Sequence, residues 1–482
     1  MNNYTTEQFR KLKEKTKQIV LGNNSWNNVG LARKVVNGKV TDDISITLYV
    51  KNKLDINQLN PDDIFPSHFL VDSINNEVPS DVCVADVDFI ANATNKCYTE
   101  PAYNTNPSTW LMPISGNRTV RRPLVGGTSI GTIPANNYGG GYIGVGTLGG
   151  LAVDLDDYTI VGVTNNHVLN LTLNSGGVTD NIYGGDVYYF SQNTPISTTY
   201  SFYSYLCASL TYSSLTAPNS YAYPVYQPGS MDLYSSVGYS QSSMEPFKIG
   251  YMKRSYPMST NNNLIDCSIF KLDTTKSGLS STSENWQQFL LNISAPMDWA
   301  TESEIDSLLT TNFEAPIFRT GRTLGPVGYP GALSGYGTTC ALSARSLGYN
   351  LNINYGGKPQ YLGCTDTIYV IGTADASSGG DSGSFVCALL DAGNPALSAW
   401  KVVGQLFASS SSTGNMLANR IDHVASLMNL SAYKGDALEI ESSRSTVVIE
   451  GHEISDPFIY VNGKKYWQAG VTSAPANATP DS

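Results

Sequence analysis

Residues 379–390 read GGDSGSFVCALL, a cluster of glycine, aspartate and serine that runs straight into six apolar residues, Phe385 to Leu390. Glycines let the backbone turn tightly and an uncharged apolar run seeks burial, so the string reads as a sharp turn feeding an interior strand. On such a turn Ser382 is expected to expose its Oγ, with neighbouring N–H groups folding towards one point. On either side, from about Pro123 to Leu430, short apolar and β-branched runs recur between Gly-rich turns. That is the pattern of a β-barrel or sandwich, not of alternating strands and helices.

Composition agrees with a mainly β, acidic chain. The 482 residues carry 29 Lys and Arg against 40 Asp and Glu, a net charge of −11. No long basic run interrupts this balance, so the phosphate-neutralising surface that nucleic acid requires is missing. Charged residues make up only 14 %, while 44 Gly and 30 Tyr favour turns and strands over salt-bridged helices. No window is apolar enough for a membrane span, and the first twenty residues hold no signal-peptide core, so no membrane partner and a cytoplasmic location are expected. The seven cysteines (Cys83, Cys97, Cys207, Cys267, Cys340, Cys364, Cys387) are odd in number and form no C-x-x-C. They indicate neither a zinc site nor a disulfide framework, and buried thiols are expected.

Three parts are legible along the chain. Residues 1–97 read as a small α/β domain. It opens with an amphipathic helix, continues through a hairpin or strand pair between Asn28 and Lys53, then a short helix in DINQLNPDDIFPSHF and a strand in VPSDVCVADVDFI. Residues 98–122, with three prolines among Asn, Ser and Thr, read as a linker. Residues 123–430 form the main β domain, near whose end IDHVASLMNL has helical spacing. Residues 431–482 read as a strand-pair extension with a polar tail.

A serine is inert without a base, and there are only four histidines. His167, in IVGVTNNHVLN, stands where an apolar strand ends, whereas His68 sits in a Pro-flanked segment, His423 on the late helix and His452 in a hairpin turn. A third group must orient the imidazole. Asp266, at the entry of the strand in NNNLIDCSIFKLD, is the better candidate because a half-buried carboxylate demands a partner; Asp273, at the exit, is the alternative.

The order His167, Asp266, Ser382, in the settings TNNH, DCSI and GGDSGS, resembles that of trypsin-like, chymotrypsin-fold serine peptidases of the type found in bacteria and in the plant narrow-leaf group. Further echoes are NVGLARKVVNG, RRPLVGGTSIG, GTLGGLAVD, FRTGRTLG and VVGQLFASSSSTGNMLANRI, so the resemblance spans about residues 28–430. It implies a double β-barrel with the site in the cleft between the barrels. It also implies a serine endopeptidase in which Ser382 attacks, His167 moves the proton, Asp266 orients His167, and the N–H groups of Gly380 and Ser382 form the oxyanion hole. No metal or organic cofactor is called for, and the partner is a peptide or protein substrate. Counting six back from Ser382 places Ala376 at the base of the substrate pocket, favouring small or medium apolar side chains. Asp375, one position earlier, would reverse that preference, and Gln405 and Phe407 are expected near the pocket wall.

Two departures stand out. Ser384 replaces the usual glycine two after the nucleophile. The 99 residues from His167 to Asp266 hold a Tyr-rich insertion, which suggests a contact surface and a homo-oligomer. In secreted relatives a cleaved N-terminus pairs with the aspartate before the nucleophile, and the sequence names no such partner for Asp381. A catalytically idle or self-limited structural or adaptor subunit is the alternative function.

Overall fold

A computed structural model describes residues 4–22, 26–37, 39–71, 76–84, 89–91, 116–118, 120–122, 124–131, 145–169, 187–189, 196–198, 224–229, 232, 245–256, 258, 261–273, 286–290, 298–310, 315–328, 342–349, 351–354, 361–372, 377–391, 400–410, 415–433, 447–449, 452–454, 458–461 and 464–467. The fold is mainly β. The opening helix, Thr6–Leu21, starts at a capping box: the Gln8 N–H donates to Thr5 Oγ1 and the Thr5 N–H to Gln8 Oε1. Phe9, Leu12, Thr16 and Val20 lie on one face and are buried, each large apolar side chain contributing about 2 kcal/mol. The expected hairpin forms from Val29–Val36 and Lys39–Val50, reversing at Asn37 with φ 51°.

Two expectations in this region need correction. DINQLNPDDIFPSHF forms two 3₁₀ turns, Ile56–Gln58 and Pro61–Asp63, in place of a helix. Neither buries a residue, so nothing repays the cost of propagating a helix. VPSDVCVADVDFI gives two strands with different partners. Asn76–Val84 runs parallel to Lys39–Val50, whereas Phe89–Ala91 pairs with Leu351–Asn354 and Trp400–Ser410.

Two sheets dominate. The larger has fifteen strands, among them Ile317–Gly321, Phe385–Leu389, Trp400–Ser410, Met416–Arg420 and Thr367–Gly372. The smaller has eight, among them Val145–Thr147, Gly150–Asp154, Thr159–Thr164 and Ser268–Leu272. Val29–Ala32 pair with Ser346–Tyr349, so main-chain bonding carries the N-terminal strands into the larger sheet. One apolar core joins Phe9, Leu12 and Ile46 to Ile317, Val386 and Val402, and to Val161 and Ile269 of the smaller sheet. Leu430–Ala432 pairs with Gly150–Asp154, carrying the chain from the larger sheet to the smaller. The C-terminal extension contains two hairpins, Val447–Ile449 with His452–Ile454 and Phe458–Val461 with Lys464–Trp467. The linker up to residue 115, the polar tail and all of the Tyr-rich insertion except Val187–Tyr189, Ile196–Thr198 and 224–227 lie outside the described residues. Among the described residues no helix is long and apolar enough to cross a membrane, and Cys83, Cys267, Cys364 and Cys387 are free thiols.

A charged knot joins the helices Thr6–Leu21, Glu302–Thr310 and Ile421–Leu427. Arg420 is fully buried and meets Asp306 at 3.0 Å, Asp366 at 3.2 Å and Asp422 at 2.8 Å. Lys13 of the opening helix reaches Asp306 at 2.7 Å and Glu302 at 3.0 Å, and His423 Nε2 lies 2.8 Å from Asp366. Burial opposes the charge on Asp366, but Arg420 and His423 outweigh it and hold the carboxyl well below the usual carboxylate range. A lowered folded-state pKa means stability that is present above the unfolded value and is lost as pH falls through the folded one. Asp366→Asn, which keeps the positive φ that Asp366 adopts, is expected to cost about 3 kcal/mol at pH 7. Urea unfolding should show that difference narrowing below about pH 4; a difference constant from pH 7 to pH 3 would contradict the assignment.

Candidate functional site

Strand register brings His167 and Asp266 together. Thr159–Thr164 runs antiparallel to Ser268–Leu272 with Thr164 opposite Ser268. Leaving the first strand and entering the second therefore occur at one end of the sheet, where the helical turn Asn166–Leu169 presents His167. His167 Nδ1 lies 2.5 Å from Asp266 Oδ2, and the His167 main-chain N–H donates to Asp266 Oδ1 at 3.2 Å. A carboxylate on Nδ1 favours the tautomer with hydrogen there, leaving Nε2 as an acceptor. Nε2 faces Ser382 Oγ at 3.0 Å. Asp273 stands beyond the far end of the same strand, about 20 Å along the chain, so the register selects Asp266 as the partner of His167.

Asp266 is itself clamped through its main chain. Asn419 Oδ1 accepts the Asp266 N–H at 3.1 Å, while Asn419 Nδ2 and Asn165 Nδ2 donate to the Asp266 carbonyl at 2.9 and 2.7 Å. Both asparagines are buried. Sequence inspection misses them because the amide clamp depends on a strand 153 residues away.

Ser382 rides a loop shaped by glycines. Gly380 and Gly383 have φ of 95° and 96°, conformations that side chains with a Cβ rarely adopt, and a Cβ on Gly383 would stand 2.1 Å from the Thr147 carbonyl. Thr147 clips this loop to the smaller sheet: its N–H donates to the Ser382 carbonyl at 2.7 Å and its Oγ1 to the Gly380 carbonyl at 2.9 Å. Among the described residues no acceptor meets the main-chain N–H groups of Gly380 and Ser382, which flank the hydroxyl. Ser382 is fully buried, as are His167 and Asp266. The expected exposure of Oγ is thus corrected: the loop packs against Val145–Thr147, where a Cβ on Gly146 would lie 2.9 Å from the Ser382 carbonyl.

Asp381, left without a partner by the sequence, is held by Arg319. The Arg319 guanidinium donates to Asp381 Oδ2 at 2.9 Å, with both side chains fully buried. The N–H groups of Thr323 and Leu324 donate to Oδ1 at 2.7 and 3.2 Å, and the Ser378 N–H to Oδ2 at 3.0 Å. Arg319 sits mid-strand in Ile317–Gly321, all of it buried. A cation inside an apolar strand was the available signal, present in FRTGRTLG but without a visible partner. Ser384 Oγ donates to the Asp381 carbonyl, which gives the departure from glycine at that position a local role.

The other named residues fall as follows. Ala376 and Asp375 lie outside the described residues. Gln405 is buried opposite Asn419, accepting from its Nδ2 at 3.4 Å. Phe407 approaches the serine through its carbonyl, 3.4 Å from Ser382 Oγ, while its ring belongs to an apolar cluster with Tyr49, Phe89 and Tyr369. Of the other histidines, His68 is exposed and His423 is bound to Asp366.

Removing one member of a buried ion pair leaves a charge uncompensated, so Arg319→Met should lower stability by about 3 kcal/mol or more. Gly321→Ala should act on the same pair, because its Cβ would lie 2.5 Å from Asp381 Oδ1 and 2.7 Å from Arg319 Nη1. Its expected cost is about 1–3 kcal/mol. Chemical denaturation measures both; wild-type midpoints in both variants would show that the pair does not brace the loop.

No family model and no curated protein matches the chain. Among solved structures, one described as a glutamic acid specific serine protease that utilizes a novel histidine triad in substrate binding aligns with 64 % of this chain and 100 % of its own. The identity is 15 % and the TM-score 0.29, a likeness too distant to fix the fold.

Proposed function

We propose that the chain is a serine endopeptidase that hydrolyses peptide bonds by acyl transfer. The observation that carries this is the continuous hydrogen-bonded series from Asp266 Oδ2 through both nitrogens of His167 to Ser382 Oγ. In this mechanism Ser382 Oγ attacks the substrate carbonyl carbon while His167 Nε2 takes the hydroxyl proton. The carbonyl oxygen becomes an oxyanion and accepts from the N–H groups of Gly380 and Ser382. Collapse expels the amine, which leaves with the proton returned from Nε2, and water repeats the cycle on the acyl-enzyme. Asp266 keeps Nδ1 protonated and stabilises the imidazolium throughout.

The two sheets fit the two barrels of a chymotrypsin-like peptidase: His167 and Asp266 project from the smaller sheet and Ser382 precedes a strand of the larger. The peptidase unit in this proposal is residues 123–430, with 1–97 as an N-terminal part. An alanine at position 376 offers no counter-charge to a buried Lys or Arg, so small or medium apolar side chains are the preferred substrates. A second reading, a catalytically idle or self-limited subunit, is favoured by one observation, the complete burial of Ser382.

Hydrolysis of a mixed peptide library decides between the two. Ser382→Ala and His167→Ala should each abolish cleavage, since residues acting as a unit fail together. Asp266→Asn should lower the rate by about 10⁴, through the wrong imidazole tautomer. Cleavage that persists in Ser382→Ala would refute the peptidase assignment. Dominant cleavage after Lys or Arg would refute the role of Ala376.

A further inference from the structure

The strand Trp400–Ser410 has two edges, and their occupants differ along its length. One edge pairs with Met416–Arg420 as far as Ser409 opposite Met416. The other edge pairs first with Phe385–Leu389, up to Gln405 opposite Phe385. Its bonding continues at Leu406, whose N–H donates to the Ser384 carbonyl at 2.9 Å and whose carbonyl accepts the Gly383 N–H at 2.8 Å. Next comes Phe407, whose carbonyl lies 3.4 Å from Ser382 Oγ. An extended peptide that delivers a carbonyl to Ser382 along this edge would pair with the residues immediately beyond, Ala408–Ser410. Adding a strand to an open sheet edge is a general mode of peptide capture.

That stretch is already taken by the chain itself. Phe89–Ala91 pairs antiparallel with it, Ala91 opposite Ala408, Ile90 opposite Ser409 and Phe89 opposite Ser410. Leu417 and Met416 fill the opposite edge at Ala408 and Ser409, so Phe89–Ala91 must lie on the Ser382 side. Its direction brings its C-terminal residue, Ala91, nearest to Phe407 and the serine. The Phe89 ring anchors it, edge-on to Tyr369 at 5.7 Å, and Leu351–Asn354 holds its other edge. Only three residues make the pairing, and Ser382 and His167 are fully buried.

Resting on the peptidase reading, in which the edge Ala408–Ser410 would receive the extended substrate, we infer that Phe89–Ala91 occupies that edge in cis and holds the folded chain latent. The strand acts as an internal competitor, and access to Ser382 requires its departure.

Two variants of the full chain test this, with the rate of covalent labelling of Ser382 by a fluorophosphonate probe as readout. Ala91→Cys with Ala408→Cys places two cysteines directly opposite across an antiparallel ladder, within disulfide range. Labelling should be blocked in the oxidised protein and restored by reductant. Ile90→Pro with Ala91→Pro must remove one N–H that faces Ala408–Ser410, because N–H groups alternate sides along a strand. Labelling should then rise about tenfold over wild type, the change expected from losing one or two main-chain hydrogen bonds, with faster amide exchange at Ala408–Ser410. Equal labelling of the oxidised and reduced cysteine variant would overturn the latency while leaving the peptidase reading intact, and this comparison holds even where the proline variant does not fold. Absence of labelling in every protein, including a proline variant whose Ala408–Ser410 amides exchange freely, would overturn the peptidase reading and the latency with it.

Discussion

A carboxylate sealed from water, Asp381, sets the geometry of everything around Ser382. Burying that charge is tolerable only because Arg319 and three main-chain N–H groups meet it. Meeting it fixes where the backbone on either side can go, and Thr147 pins the same loop by the carbonyls of Gly380 and Ser382. Between those two restraints, Gly380 and Gly383 take up positive φ, and the N–H groups at 380 and 382 meet no acceptor among the described residues. In the proposed mechanism such an arrangement would be preorganised, its donors aimed before any charge develops.

The other half of the site is built by register. Thr164 opposite Ser268 is enough to bring His167 and Asp266 together across 99 residues, and Asn419 and Asn165 then fix Asp266 by its main chain. Arg420, the neighbour of Asn419, is bound into the acidic knot that includes Asp306 and Lys13. The opening helix is therefore continuous, through buried ion pairs, with the strand that clamps Asp266. Removal of the N-terminal segment would leave Asp306 without Lys13 and the strand Leu342–Tyr349 with an open edge.

Much of this was legible from local chemistry. The helix at Thr6–Leu21, the hairpin around Asn37, the late helix Ile421–Leu427 and the glycine turn before Phe385 each follow from spacing and turn residues within a dozen positions. The order of His167, Asp266 and Ser382 was readable too, because each stands where an apolar strand begins or ends. What stayed hidden depends on partners far away in sequence. Arg319 was visible but not its carboxylate, and Asn419 is an unremarkable strand residue until the fold sets it against Asp266. The destination of Phe89–Ala91, read as the tail of a longer strand, is decided by a free edge more than 300 residues away. The burial of Ser382 is hidden for the same reason, since local turn chemistry says nothing of what packs over the turn.

The most direct measurement is a crystal structure of the protein after reaction with a fluorophosphonate. The account predicts a covalent bond from Ser382 Oγ to phosphorus, with one phosphoryl oxygen about 3 Å from both the Gly380 and Ser382 main-chain nitrogens and His167 still bound to Asp266. An unmodified Ser382, or an adduct whose phosphoryl oxygens touch neither N–H group, would contradict it.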